Sequence, residues 1–412
     1  MRDFNQELIH FIDASPTPFH AVAWMAKTLE SRGYVRLAED EEWNLQEGKG
    51  YYVTRNGSSI IAFAYPPSAE KGYIIAGAHT DSPHLRLKPN PLSTSAGVQR
   101  LGVEPYGGVL LNPWFDRDLG LAGRVVYLEG SVRKEALITI DRAIAMIPSL
   151  AIHLDKDANS SRSINAQTDI VPLIATGEVD FEQFILSHIR EETKDPSLLA
   201  HELSFYDLQK GSFVGVNGEF IASARLDNLI SCFTGLRALL DASTPMMLSC
   251  MDHEEVGSET HVGAAGTFLE ETLRRIAGQN YAPLMRRSLM VSCDNAHAQH
   301  PNFPLKHESG HAPLLNAGVA VKINSNQRYA TSARTQGRFV QCARTLDVPT
   351  QTFITRSDMG CGSTIGPITS ARLGIETIDV GVPQLAMHSI RELAGTQDAY
   401  GLYRILMRLG EF

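Results

Sequence analysis

Nothing in the 412-residue chain approaches the run of about 18 apolar residues that a membrane-spanning helix needs, so no membrane partner is expected. Clusters of Lys and Arg are also missing. The 37 basic residues are outnumbered by 46 acidic ones, for a formal charge of −9. A nucleic-acid scaffold, which needs clustered positive charge against phosphate, is therefore excluded as a reading. Met1 to Asp13 mix acids with apolar residues and lack a basic segment followed by an apolar block, so no secretory signal is expected. Cysteine is scarce. The five (Cys232, Cys250, Cys293, Cys342, Cys361) form no C-x-x-C pair and are odd in number. Three sit in apolar runs and read as small hydrophobes, which fits a reducing, cytoplasmic setting. Internal repeats and low-complexity tracts are absent.

What is present is an ordinary globular composition, 43% hydrophobic and 20% charged, at a length that suggests two domains. Two N-terminal helices are expected, the second opening near Pro18 and stopping at Gly33. Tyr51–Thr54 and Ile60–Phe63 flank an Asn56-Gly57 turn, a strong hairpin signal. Tyr73–Ala78 reads as a strand buried on both faces. From about 90 to 215, Gly, Pro and Asn punctuate short apolar runs, with one helix candidate near Phe181–Ile189. Beyond Leu226, helix candidates at 228–241, 260–277, 331–346 and 397–409 alternate with strand candidates at 246–251, 288–293, 318–323, 351–355 and 375–380. This pattern predicts an α/β fold, a mostly parallel sheet flanked by helices, in a domain of residues 1–90 and 216–412. A β-rich domain, 91–215, is inserted into it.

In open α/β sheets ligands bind beyond the carboxyl ends of the strands. The residues that follow the apolar runs are His79-Thr80-Asp81, Asp252-His253-Glu254-Glu255, Asp294-Asn295-Ala296-His297 and, after Val380–Met387, His388. Leu226-Asp227-Asn228 opens a helix. Singly, Asp227 reads as a helix N-cap, Asp294-Asn295 as a turn and Glu254-Glu255 as a solvated edge. Together at one edge they form a group of carboxylates and imidazoles that is costly to bury without cations, and a two-metal site would supply them. In an extended His79-x-Asp81 both side chains lie on one side, so Asp81 can orient the imidazole. Adjacent Glu254 and Glu255 point apart, so that one can hold a metal and the other act as general base. Gly360–Gly366 matches neither G-x-G-x-x-G nor a P-loop, and Cys361 has no nearby His to activate it.

The strings Ala78–Pro83, Arg225–Asn228, Asp252–Ser258, Asp294–His297 and Ala386–Glu392 resemble the aspartyl aminopeptidase family of dinuclear-metal aminopeptidases, which includes vacuolar aminopeptidase I. The likeness runs nearly end to end, takes in Ile152–Leu154, Lys322–Tyr329 and Cys361–Pro367, and points to a bacterial member. The resemblance implies two divalent ions, zinc first and manganese or cobalt as alternatives. Asp227 would bridge them, with His79 and Asp294 on one ion and Glu255 and His388 on the other. Glu254 would be the general base, supported by Asp81. It further implies that Lys322 and Tyr329 contact the substrate and that the inserted domain pairs subunits. The partners would then be peptide substrates and further copies of the chain, in a tetrahedral dodecamer of dimers where His153 reaches a neighbour's site.

The expected activity is removal of an N-terminal residue, preferentially Asp or Glu, from peptides. Two other readings remain open on sequence grounds: a dinuclear deacylase or carboxypeptidase built on the same shell, and a non-catalytic metal-binding assembly protein, against which the presence of Glu254 speaks.

Overall fold

The computed structural model describes residues 1–65, 72–189 and 193–412. The chain divides into two compact units. One comprises Met1–Asp81, Gly211–Met387 and Glu392–Phe412; the other comprises Ser82–Lys210 and His388–Arg391.

The first unit is built on a nine-stranded sheet. Its strands lie in the order Val35–Leu37, Lys49–Arg55, Ser59–Tyr65, Met246–Met251, Ile74–His79, Leu289–Cys293, Glu376–Gly381, Val319–Lys322, Thr350–Phe353. Five of the eight pairings among the described residues are parallel and three are antiparallel. The fold is thus mixed α/β. Successive strand residues feed opposite cores. Ala76, Leu248 and Val291 join the helices Arg2–Asp13, Pro18–Ser31, Leu226–Asp241, Ala333–Thr345 and Asp398–Arg408. Their neighbours Ile75, Met247 and Met290 join Phe268–Ala277, Tyr281–Arg287 and Ile365–Leu373. A period of two with both faces apolar is what makes these central strands continuous hydrophobic runs. A second sheet of five strands runs Ser212–Val214, Phe220–Ser223, Glu392–Gly395, Pro383–Leu385, Ala296–His297. At its approach to the first, Gly381 is needed, because a Cβ there would lie 2.0 Å from the Asp294 carbonyl oxygen. No helix among the described residues is long and apolar enough to cross a membrane.

The second unit is a six-stranded antiparallel sheet, in the order Val132–Ala145, Leu119–Glu129, Pro196–Asp207, His84–Ser95, Val98–Tyr106, Leu173–Ala175. It has its own core, in which Leu85, Leu121 and Phe205 pack with Ile185 of the helix Phe181–Leu186. Its first strand begins at His84, ahead of the expected boundary at 91, and its last residue in sequence before the chain returns is Lys210.

Three local expectations are corrected. The helix expected over 260–277 begins only at Phe268. Residues 260–267 form tight turns around Gly263 and Gly266, and a Cβ on Gly266 would meet the Thr260 carbonyl at 2.6 Å. Leu150–Leu154, read as strand-like, is a turn with its apolar side chains exposed, Leu154 at 75%. The run before His388 is not one strand of the main sheet. Glu376–Gly381 ends there, and Pro383–Leu385 belongs to the five-stranded sheet.

Candidate metal centre

Ile74–His79 lies between Met246–Met251 and Leu289–Cys293, parallel to both, so the segments leaving these three strands emerge side by side. They carry His79 and Asp81, Glu254 and Glu255, and Asp294. Asp227 arrives from the start of the helix Leu226–Asp241, where its backbone (φ −82°, ψ 108°) departs from helical geometry.

His79 is the hub, only 1% exposed. Its Nδ1 lies 3.0 Å from the Asp81 carbonyl oxygen, which can only accept, so this nitrogen carries a proton. The opposite nitrogen, Nε2, faces three carboxylates: Asp227 at 3.4 Å, Asp294 at 3.5 Å and Glu254 at 3.9 Å. Burial alone would lower the pKa of this imidazole, but hydrogen bonds to Asp227, Asp294 and Asp81 and the charge of Glu254 outweigh it and hold it well above the usual histidine range. Glu254 is pushed up to about 8, chiefly by burial; His79 opposes this, and the charges of Asp294, Asp81 and Asp227 add to it.

The buried Asp81 does more than orient His79. One carboxylate oxygen accepts from the Glu254 N–H at 3.1 Å and the other from the Glu255 N–H at 3.1 Å. A single side chain therefore fixes the imidazole and the backbone of the adjacent acid pair. Spacing in sequence could not reveal that second task.

His79, Asp227 and Glu255 each offer one ligand atom, all within 4.8 Å of one another. This donor set, with an imidazole nitrogen directed at several carboxylates, suits a divalent cation such as zinc. Lys322, expected beside the substrate, also meets one of these acids. Lys322, 2% exposed, places Nζ 3.1 Å from the second oxygen of Asp294 and 5.4 Å from the centre of the Tyr329 ring. Even with the proton held on His79, this ammonium offsets only part of the negative charge of the cluster. Tyr329 is buried, and burial followed by a hydrogen bond to Cys361 raises its phenol. The chain beyond Tyr329 is pinned by the fully buried Asp379, which accepts from the Ala330 N–H at 2.6 Å and the Thr364 hydroxyl at 2.5 Å. Sequence reasoning misses Asp379, although a lone acid within Ile378-Asp379-Val380 is an available signal.

His153 and His388 belong to the second unit. His153 is exposed on the turn after Leu150. His388 has Nδ1 3.0 Å from the Gly108 carbonyl oxygen, which assigns the proton to Nδ1 and makes Nε2 the ligand-type nitrogen.

Comparison with known proteins agrees with this chemistry. The family model for "Aminopeptidase I zinc metalloprotease (M18)" matches residues 11–408. A probable M18 family aminopeptidase 2 of Stutzerimonas stutzeri (strain A1501) is 52% identical over 419 positions, covering 98% of this chain and 98% of that protein. Among solved structures, a chain of the cryo-EM structure of the Ape4 and Nbr1 complex superposes with a TM-score of 0.95 at 38% identity, covering 100% of this chain and 86% of that one. The S. cerevisiae mApe1 dodecamer gives 0.84 at 28% identity, covering 98% and 95%. With the match spanning nearly the whole length, this chain belongs to the M18 family of zinc metalloproteases, and it is an aminopeptidase, an exopeptidase of the hydrolase class.

Proposed function

We propose that the chain removes N-terminal Asp or Glu from peptides with the help of two divalent metal ions. His79, Asp227 and Asp294 would hold one, and Asp227, Glu255 and His388 the other. The observation that carries this reading is His79 Nε2 facing Asp227, Asp294 and Glu254 within 3.9 Å, with Lys322 against the far side of Asp294. Bound there, the ions would polarise the scissile carbonyl and make the attacking water more acidic.

The residues of the chain do the rest. Glu254 takes a proton from the attacking water and returns it to the leaving amine; it stands 3.9 Å from His79 Nε2, beside the ligands that would hold the metal. Asp81 holds Glu254 and Glu255 through their backbone amides. The surrounding carboxylates offer counter-charge to a free terminal ammonium, which favours cleavage at the end of a chain. Lys322 and Tyr329 receive the side chain of the first residue, the ammonium selecting a carboxylate.

The β-rich unit would serve as the pairing domain of a homo-oligomer, a tetrahedral dodecamer of dimers. The exposed Leu150, Ile152 and Leu154 beside His153 are surface a partner subunit can cover. His153 would then donate to the oxyanion formed at a neighbour's scissile carbonyl. Free cysteines, four of them buried, accord with a cytoplasmic setting.

The test combines elemental analysis with rates on Asp-, Glu-, Leu- and Lys-derived substrates. About two transition-metal ions per chain and a marked preference for the acidic pair are expected. Full activity in protein shown to be free of metal, or equal rates on all four substrates, overturns the reading.

A further inference from the structure

One peptide group at the metal centre is gripped from both sides. Its carbonyl, from Leu226, accepts from Asn295 Nδ2 at 2.9 Å, and its N–H, from Asp227, donates to Glu392 Oε2 at 3.0 Å. The two grips are themselves joined. Asn295 Nδ2 donates to Gln384 Oε1 at 2.8 Å, and Gln384 Nε2 donates to Glu392 Oε1 at 3.4 Å. Peptide, Asn295, Gln384 and Glu392 thus close a ring of hydrogen bonds. It is almost dry: Asn295 is 2% exposed, and Gln384 and Glu392 are each 1% exposed. Asn295 directly follows Asp294, while Gln384 and Glu392 come from the paired strands Pro383–Leu385 and Glu392–Gly395.

The ring has a fixed polarity. The Leu226 carbonyl can only accept, so Asn295 must present its amino group, and that group also faces Gln384. Gln384 must then accept with its oxygen and donate with its nitrogen. The Asp227 N–H can only donate. Glu392 therefore stands between two donors and must accept with both oxygens, which a carboxylate does and an amide cannot. In a buried ring, one mismatched pair leaves polar groups unsatisfied, and such groups are costly.

We infer that Glu392 is a positioning residue for metal binding: by closing this ring it sets the orientation of the peptide from which the Asp227 side chain departs. The inference rests on the proposed role of Asp227 as a metal ligand. It gives Glu392 a task in the metal centre through hydrogen bonds alone, without touching metal or substrate.

The polarity argument supplies its own rescue. In Glu392→Gln, one donor meets another somewhere in the ring. In the double variant Gln384→Glu/Glu392→Gln every bond is restored with the charge moved by one residue. The amide now at position 392 accepts from the Asp227 N–H and donates to the carboxylate now at position 384, which also accepts from Asn295. The full-length protein, stripped of metal, is titrated with Co²⁺, reading affinity and the visible absorption bands, and Tm is recorded before metal is added. Glu392→Gln is expected to lose about 10–100-fold in affinity, the usual cost of disturbing groups that orient metal ligands, and the double variant to regain most of it. Asp227→Asn is the control. If it loses affinity while Glu392→Gln does not, the inference falls and the role of Asp227 stands. If Asp227→Asn binds like wild type, both fall. A double variant that recovers Tm but not affinity shows a merely structural ring and overturns the inference. Where Glu392→Gln does not fold, the double variant decides alone: wild-type affinity supports the ring, and a loss of about tenfold or more in folded protein refutes it.

Discussion

Asp81→Asn puts the geometry of the centre under the most direct strain. The carboxylate accepts two backbone amides, one on each oxygen at 3.1 Å, and lies 3.4 Å from His79 Nδ1. An asparagine keeps the volume but offers one oxygen, so its amino group is forced against either the Glu254 or the Glu255 N–H. A hydrogen bond to a charged group is worth about 1.5–3 kcal/mol, and a buried donor left unsatisfied costs about 1–3 kcal/mol. Because Asp81 is fully buried, water cannot take up the slack. The stability of the metal-free protein should therefore fall by about 2–5 kcal/mol, after some relaxation of the loop. Metal affinity should fall by about 10–100-fold, since both His79 and the Glu254-Glu255 backbone lose their orienting partner. Denaturant unfolding gives the first quantity and competition with a chelator the second. Hydrogen exchange should show the amides of Glu254 and Glu255 opening before those of Met246–Met251. If Asp81→Asn binds metal as the wild type does and those two amides stay protected, then Asp81 does not organise the centre.

Glu254→Gln should keep its metal content and fold yet lose about 10²–10⁴-fold in kcat, whereas Glu255→Gln should lose metal first; the reverse pattern would exchange their roles. Lys322→Met removes the ammonium from Asp294 and from any acidic first residue, so neutral substrates also suffer. The decisive quantity is the ratio of kcat/KM for Asp over Leu substrates, expected to fall by about 10–100-fold for a contact of about 1.5–3 kcal/mol, and an unchanged ratio refutes a selective role. In metal-free protein His79 holds its proton above the usual range and Glu254 is pushed up to about 8. Metal must displace the proton on His79, and its charge disfavours the one on Glu254, so binding near neutral pH releases protons and tightens as pH rises; calorimetry in buffers of different ionisation enthalpy counts them, and pH-independent affinity contradicts the raised values. Mixing His153→Ala with Glu254→Gln under subunit exchange should regenerate activity if His153 serves a neighbour's site, while inactive mixed oligomers verified by mass refute that.

Most of the first unit was legible because its central strands are buried on both faces and so declare themselves as short apolar runs. His79, Glu254 and Asp294 stand immediately after such runs, and the edge of a parallel sheet is where side chains from different strands converge. What failed to show was everything that depends on which strand pairs with which. The run before His388 is apolar throughout, but Pro383 opens a separate strand that pairs in another sheet. Apolarity also misled at Val262 and Ala264, which are buried in glycine turns rather than on a helix face. Leu150, Ile152 and Leu154 alternate like a strand and yet lie exposed, with no strand beside them among the described residues. The hold of Asp81 on two distant amides and the ring through Glu392 join residues more than 150 apart in sequence, beyond the reach of any local pattern.

The order of strands in the nine-stranded sheet also sets a timetable for synthesis. Ile74–His79 is among the first strands made, yet both its neighbours, Met246–Met251 and Leu289–Cys293, belong to the second half of the chain. At roughly 5–20 residues per second, its first partner leaves the ribosome on the order of ten to thirty seconds later. Through that interval an apolar strand with two open edges waits while Ser82–Lys210, which carries its own core, is completed. The proposed metal centre, which draws on His79 at one end of the chain and on Glu392 at the other, stays incomplete until almost the whole chain has been made. A nascent chain therefore carries no complete set of these residues, and its early hydrophobic strand stays open to unwanted pairing during translation.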